Sequence, residues 1–216
     1  MTTEPLPQMT DEQDGAGAGV ELAVAAHARL AGAVDRIDDA TARRPSRLPG
    51  WTVGHVVTHL ARNADGHVRR LEGALEGRDL ARYPGGDEER NRDIESGAGR
   101  PAAEMAADLT TAQQRLEDVW RRHQDAGWPH RELLGNDHWT ITESPWRRLR
   151  EVEMHHVDMG LGYEPSDWPA AYVARDLPLL LATAAARTGA AEQAAVLAWL
   201  AGRGERPAHW SLAPWG

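Results

Sequence analysis

Between residues 53 and 75 the apolar positions Val53, Val56, Val57, Leu60, Ala64, Val68, Leu71 and Leu75 fall at offsets that keep one face of a 3.6-residue helix. Thr52 stands where an N-cap hydroxyl is wanted, and the pattern runs out near Gly77. An Ala-rich stretch at 20–43 predicts an earlier helix that ends before Pro45. A third long helix is predicted from Pro101 to about Ala126, and a fourth from Ser144 as cap and Pro145 as first residue to about Gly160. Two shorter Ala/Leu helices follow at about 169–188 and 190–202. The second and third helices are joined by a long Gly/Arg/Glu-rich crossover, with a short helix predicted at 87–96. Only "LLGNDHWTIT", 133–142, alternates apolar and polar residues, and it predicts a short hairpin.

The pattern predicts an all-α protein: an up-down four-helix bundle with a long crossover loop and a short, mainly helical C-terminal extension. Residues 1–18, acidic and Gly-rich, read as a disordered tail; 19–165 form the bundle and 166–216 the reduced C-terminal region. No internal repeat is visible. The N-terminus lacks the basic region of a signal or transit peptide, and no apolar run approaches the roughly 20 residues that span a bilayer. The reading is a cytoplasmic protein, monomer or homodimer, with no membrane partner.

Composition narrows the chemistry. The formal charge is −9 and no basic stripe forms, which argues against a nucleic-acid partner. There is no cysteine, so disulfides, a cysteine nucleophile and thiolate ligands are excluded. All 24 basic residues are arginine, which excludes a Schiff-base lysine. What remains is histidine, carboxylate, arginine, hydroxyl, a metal ion or a cosubstrate.

Two helical stretches concentrate metal-ligand residue types. On the second helix His55 lies opposite the apolar stripe and reads as solvated, His59 lies on its flank, and His67 falls within it. His67 is about 12 Å along the axis from His59, too far to share an ion. On the fourth helix Glu151 and His155 are four apart and Glu153 and His156 three apart; either pair could grip one ion, and the wheel does not choose. The pattern thus allows one histidine from the second helix with one glutamate and one histidine from the fourth.

The segments "LPGWTVGHVVTHLARNADG", "ERNRDIESGAGR", "SPWRRLREVEMHHVDMGLGY" and "VLAWLAGRGE", in that order, resemble the mycothiol-dependent maleylpyruvate isomerase family, a branch of the DinB-like metal-binding helical bundles. The resemblance covers roughly residues 20–205. It implies a bundle that binds a divalent ion, usually zinc, through His59, Glu151 and His155, and it implies an active-site role for Arg203 in "AGRG". It also implies mycothiol as the thiol cosubstrate, acting on an electrophilic small molecule. The implied activity is maleylpyruvate cis-trans isomerisation, or mycothiol S-transfer if the adduct is kept. A non-catalytic DinB-like metal-binding or stress protein and a metal-dependent hydrolase are the alternative readings. Where the family carries a small α/β C-terminal domain, this chain has only helix-forming sequence before "VLAWLAGRGE".

Beyond those four residues, Asn63 and Asp158 are candidates to orient the ligands, and Trp51 and Trp199 to wall the pocket. Arg90, in the crossover, could contact substrate, but solvated is the preferred reading.

Overall fold

In a computed structural model, the described residues are 12–135, 137–203 and 205. They are all-helical, with no strand, and no described helix is long and apolar enough to cross a membrane. Two compact units emerge, Met1–Asp167 and Trp168–Gly216.

The first unit contains α1 (Glu12–Val34), α2 (Asp39–Ala42), α3 (Val53–Leu75), α4 (Gly86–Gly97), α5 (Ala102–Asp125) and α6 (Ser144–Asp158). The bundle is made by α1, α3, α5 and α6, with α4 laid on α3 as part of the crossover. Side-chain pairs give the directions. Arg62 meets Asp108 and His123 meets the Leu71 carbonyl, so α3 and α5 run parallel. Trp146 meets Gly15 and Glu153 meets Arg29, so α1 and α6 are also parallel. His59 meets Glu151 and His67 meets Ser144, so α3 and α6 are antiparallel. The order is up-down-down-up, which the long crossover permits because it returns the chain to the end of the bundle from which α3 started. That topology sets α3 beside α6.

The apolar stripes read from the sequence form the core: Leu30 and Val34 on α1, Val56, Val57, Leu60 and Leu71 on α3, Leu109, Leu116 and Trp120 on α5, Leu149 and Val152 on α6 are all buried. The crossover approaches α3 closely at Gly54, where an added Cβ would lie 2.4 Å from the Ala98 carbonyl oxygen. Only glycine permits that approach, which seats the end of α4 against the start of α3.

Four local expectations are corrected. The helix expected over 20–43 is two: the chain turns after Val34, and Asp38 caps α2 by accepting from the Thr41 amide at 2.8 Å. Of the expected tail, residues 1–11 lie outside the described residues, while 12–18 already belong to α1, whose Gly15 carbonyl accepts from the Trp146 indole at 2.7 Å. No hairpin forms among the described residues of 133–142. Instead Arg70 donates to the Leu133 and Trp139 carbonyls and stacks 4.0 Å over the Trp139 ring. A buried arginine thus satisfies backbone groups that a partner strand would otherwise take. Ser144 opens α6 but does not cap it; its buried hydroxyl contacts His67 and Trp120. The turn before it is closed by the Glu143 carboxylate on the Thr140 amide.

The second unit contains α7 (Ala170–Ala184) and α8 (Ala190–Leu200) and no strand among its described residues, as the C-terminal sequence predicts.

Candidate metal centre

The facing sides of α3 and α6 carry a ladder of polar side chains through an otherwise apolar bundle. On α3 its rungs are His59, Asn63 and His67, four residues apart, so they share one face. On α6 they are His155, Glu151, Arg148 and Ser144, running the other way. At one end His67 Nδ1 lies 2.8 Å from Ser144 Oγ. In the middle Arg148, fully buried, donates to Asn63 Oδ1 and the Leu60 carbonyl, each at 2.8 Å, and to His27 Nε2 at 3.0 Å. His27 in turn contacts Glu117 at 2.7 Å. At the other end stand His59, Glu151 and His155.

That end has metal-site geometry. Glu151 Oε2 is 3.0 Å from His59 Nε2 and 3.6 Å from His155 Nε2, and one potential ligand atom from each residue lies within 4.8 Å of the others. Zinc bonds of roughly 2.1 Å in a tetrahedron put ligand atoms about 3.4 Å apart, and the two spacings from Glu151 bracket that value. Among the described residues, no other group of three such side chains is gathered in this way. His59 is buried, whereas Glu151 and His155 are half-buried. The cluster is therefore closed on the α3 side and open on the α6 side.

The electrostatics suit a cation. Burial pushes His59 down to about 4, so it is neutral at pH 7. For Glu151 burial works upward, but the hydrogen bond from His59, with the charges of His59, His155 and Arg82, holds it far below the usual carboxylate range. It stays ionised. Asp158 Oδ2 is 2.9 Å from His155 Nδ1, which fixes the ring with Nε2 toward Glu151. Trp51 lies over His59, ring centroids 5.6 Å apart.

The alternatives that the helical wheel leaves open separate here. Glu153 is buried against Arg29 and the Tyr163 hydroxyl, and His156 stacks on Tyr163 with centroids 4.0 Å apart. Both point toward the α1 side, away from His59. His55 is not solvated as its face suggests: Nδ1 lies 2.7 Å from the Thr52 hydroxyl in a capping box, and Nε2 lies 3.2 Å from Glu95. It stands at the position a capping-box glutamate would occupy. Asn63 touches Arg148 rather than a ligand. Arg90, expected in solvent, places Nη2 3.1 Å from His59 Nδ1. Arg203 and Trp199 belong to the second unit, where Arg203 is exposed and donates to the Ala201 carbonyl.

Sequence reasoning missed Arg148 and the His27–Glu117 pair, and for Arg90 it preferred solvent over the site. Arg148 did carry a signal: a charge three residues before Glu151 on the inward face of a helix. The orientation of Arg90 was not readable, because a surface helix in a crossover has no stripe from which to read it.

Residues 23–160 match the family described as mycothiol maleylpyruvate isomerase N-terminal domain. Among solved structures, a mycothiol-dependent maleylpyruvate isomerase is similar at 27% identity and a TM-score of 0.69, over 77% of this chain and 70% of that one. A mutant of such an isomerase, with alanine for a histidine, matches at 26% identity and the same TM-score over the same shares. A search of curated proteins gives no match. The helical bundle is thus the DinB-like fold of those structures.

Proposed function

The chain belongs to the family of the mycothiol maleylpyruvate isomerase N-terminal domain, and from that premise we propose that it is a metal-dependent enzyme with mycothiol as thiol cosubstrate. Its reaction in this reading is cis-trans isomerisation of maleylpyruvate, or S-transfer of the thiol to a related electrophile. The observation that carries the proposal is the convergence of His59 Nε2, Glu151 Oε2 and His155 Nε2, open on one side.

His59, Glu151 and His155 would hold the ion, zinc in this proposal. A divalent ion with two neutral imidazoles and one carboxylate keeps an open position and lowers the pKa of a thiol that arrives there. The chain's own residues do the rest. Neutral His59 presents no charge against a cation, and ionised Glu151 supplies the one negative ligand. Asp158 holds His155 in orientation, and Trp51 shields His59. Because the chain has no cysteine, the sulfur must come from the cosubstrate.

The thiolate sulfur forms a bond to one carbon of the cis double bond, and the π pair moves into the conjugated carbonyl as an enolate. The former double bond rotates. The enolate pair then re-forms the alkene in the trans geometry as the C–S bond breaks and the thiolate leaves, so no atom is gained or lost. If the enolate takes up a proton first, the conjugate is the product, which is the S-transferase outcome. Arg203 takes, in this proposal, the role implied by the family resemblance: bidentate pairing with a substrate carboxylate.

The test is turnover by zinc-loaded protein given mycothiol and maleylpyruvate. The trans product should form, with none in the absence of thiol and none from Glu151→Ala. Equal turnover without thiol would reject the mechanism and make water the nucleophile.

A further inference from the structure

We infer that Arg90 and the Tyr83 hydroxyl form a carboxylate-binding subsite beside the metal centre, and that Arg90 is freed to serve it when His59 takes a metal ion. The inference rests on the metal reading above.

Proton placement on the His59 ring links Arg90 to the metal centre. Arg90, on α4, lies with Nη2 3.1 Å from His59 Nδ1. A guanidinium has only N–H donors, so Nδ1 must accept. A neutral imidazole then carries its proton on Nε2, and that N–H is aimed at Glu151 Oε2, 3.0 Å away. Metal coordination through Nε2 needs that lone pair free, which moves the ring proton to Nδ1. An Nδ1–H cannot face a guanidinium N–H. Metal occupancy and the Arg90–His59 hydrogen bond therefore exclude each other.

Once displaced, Arg90 keeps little to hold it. Its other contacts are with the neutral side-chain oxygen of its neighbour Asn91 at 3.0 Å and with the Tyr83 hydroxyl, and no carboxylate pairs with it among the described residues. An arginine next to a ligand of a cationic centre, with no anion of its own, is suited to take one from a ligand.

Tyr83 provides the independent observation. Its hydroxyl is buried and its own proton meets no acceptor, because the Arg90 guanidinium beside it can only donate. It lies beside the Arg90 guanidinium and within electrostatic range of Glu151, and burial raises its pKa, so it remains an O–H donor. A hydroxyl and a guanidinium side by side are the donor set for a carboxylate. The ligand class is a small carboxylate that reaches the metal centre at the same time, as a dicarboxylic substrate would.

Two binding measurements test this without turnover. Zinc affinity is measured by chelator competition for the unaltered chain, Arg90→Gln and Tyr83→Phe; maleate is then titrated calorimetrically into each zinc-loaded protein. Arg90→Gln should bind zinc at least tenfold more tightly, because the glutamine oxygen can accept from His59 Nδ1–H. Once loaded, it should bind maleate at least tenfold more weakly. Tyr83→Phe should leave zinc affinity unchanged and weaken maleate severalfold. Unchanged or weaker zinc affinity in Arg90→Gln would overturn the coupling. Maleate binding that is absent from the unaltered loaded protein, or equal in all three, would overturn the subsite. A failure of the unaltered protein to bind zinc is seen before any substitution and would remove the metal reading together with this inference.

Discussion

His27 lets the cost of acidification be worked from the structure. The ring is buried, stacked on Trp120 with centroids 5.8 Å apart, and held between Glu117 on Nδ1 and Arg148 on Nε2. Arg148 Nε donates to Nε2, so His27 accepts there and its proton lies on Nδ1 toward Glu117. Burial pushes its pKa from 6.5 down to about 4, the Glu117 hydrogen bond opposing, and Arg148 lowers it further. His59 is also lowered to about 4, again chiefly by burial. A folded-state value below the unfolded one means that the unfolded chain takes up protons first on acidification. Stability is therefore intact above about pH 6.5, falls between 6.5 and about 4, and loses nothing more from these groups below that. At pH 5 each histidine costs about 2 kcal/mol, so the two together cost about 4 kcal/mol. Set against the 5–15 kcal/mol typical of a folded domain, that is a large fraction. The assay is urea denaturation of zinc-free protein at pH 7, 6 and 5, repeated on His27→Gln, which cannot titrate. Because His67, His123 and His156 are lowered by burial as well, the unaltered chain should lose more than about 4 kcal/mol between pH 7 and 5, and the variant about 2 kcal/mol less than the unaltered chain. Equal losses in the two proteins would refute the claim that His27 is buried neutral between Glu117 and Arg148.

Three further outcomes follow from the site. His59→Ala, Glu151→Ala and His155→Ala should each abolish stoichiometric zinc binding by elemental analysis, while His55→Ala and His156→Ala retain it, because their side chains point to the Thr52 cap and to Tyr163. Asp158→Asn should weaken zinc binding about 10- to 100-fold in chelator competition, since the carboxylate on His155 Nδ1 is what orients that ring. Arg203→Lys, which keeps the charge and loses the planar fork, should leave zinc content and the melting temperature unchanged and lower kcat/KM at least tenfold, about 1.4 kcal/mol of transition-state stabilisation.

The helices were legible because their apolar stripes and caps are local: Thr52 and Pro101 begin α3 and α5 as read. The break after Val34 was not, since Ala-rich sequence supports a helix on either side and only the Asp38 cap decides the point. The 133–142 segment alternates like a strand, but the groups that satisfy it come from Arg70, more than sixty residues away along the chain. On α6 the wheel left Glu151/His155 and Glu153/His156 equivalent. The family resemblance chose the first pair, and the geometry has that pair facing His59 while the second faces α1 and Tyr163. The polar ladder was invisible for a different reason. It depends on α3 lying beside α6, a topological fact set by the crossover and not by either helix's own pattern.

The most direct test of the thiol chemistry is the zinc-edge X-ray absorption spectrum of the loaded protein before and after mycothiol is added. Before addition, the zinc should have only nitrogen and oxygen neighbours, at about 2.0–2.2 Å, because the chain has no cysteine. After addition, one sulfur should appear at about 2.3 Å. A spectrum unchanged by saturating mycothiol would contradict a thiol activated at His59, Glu151 and His155.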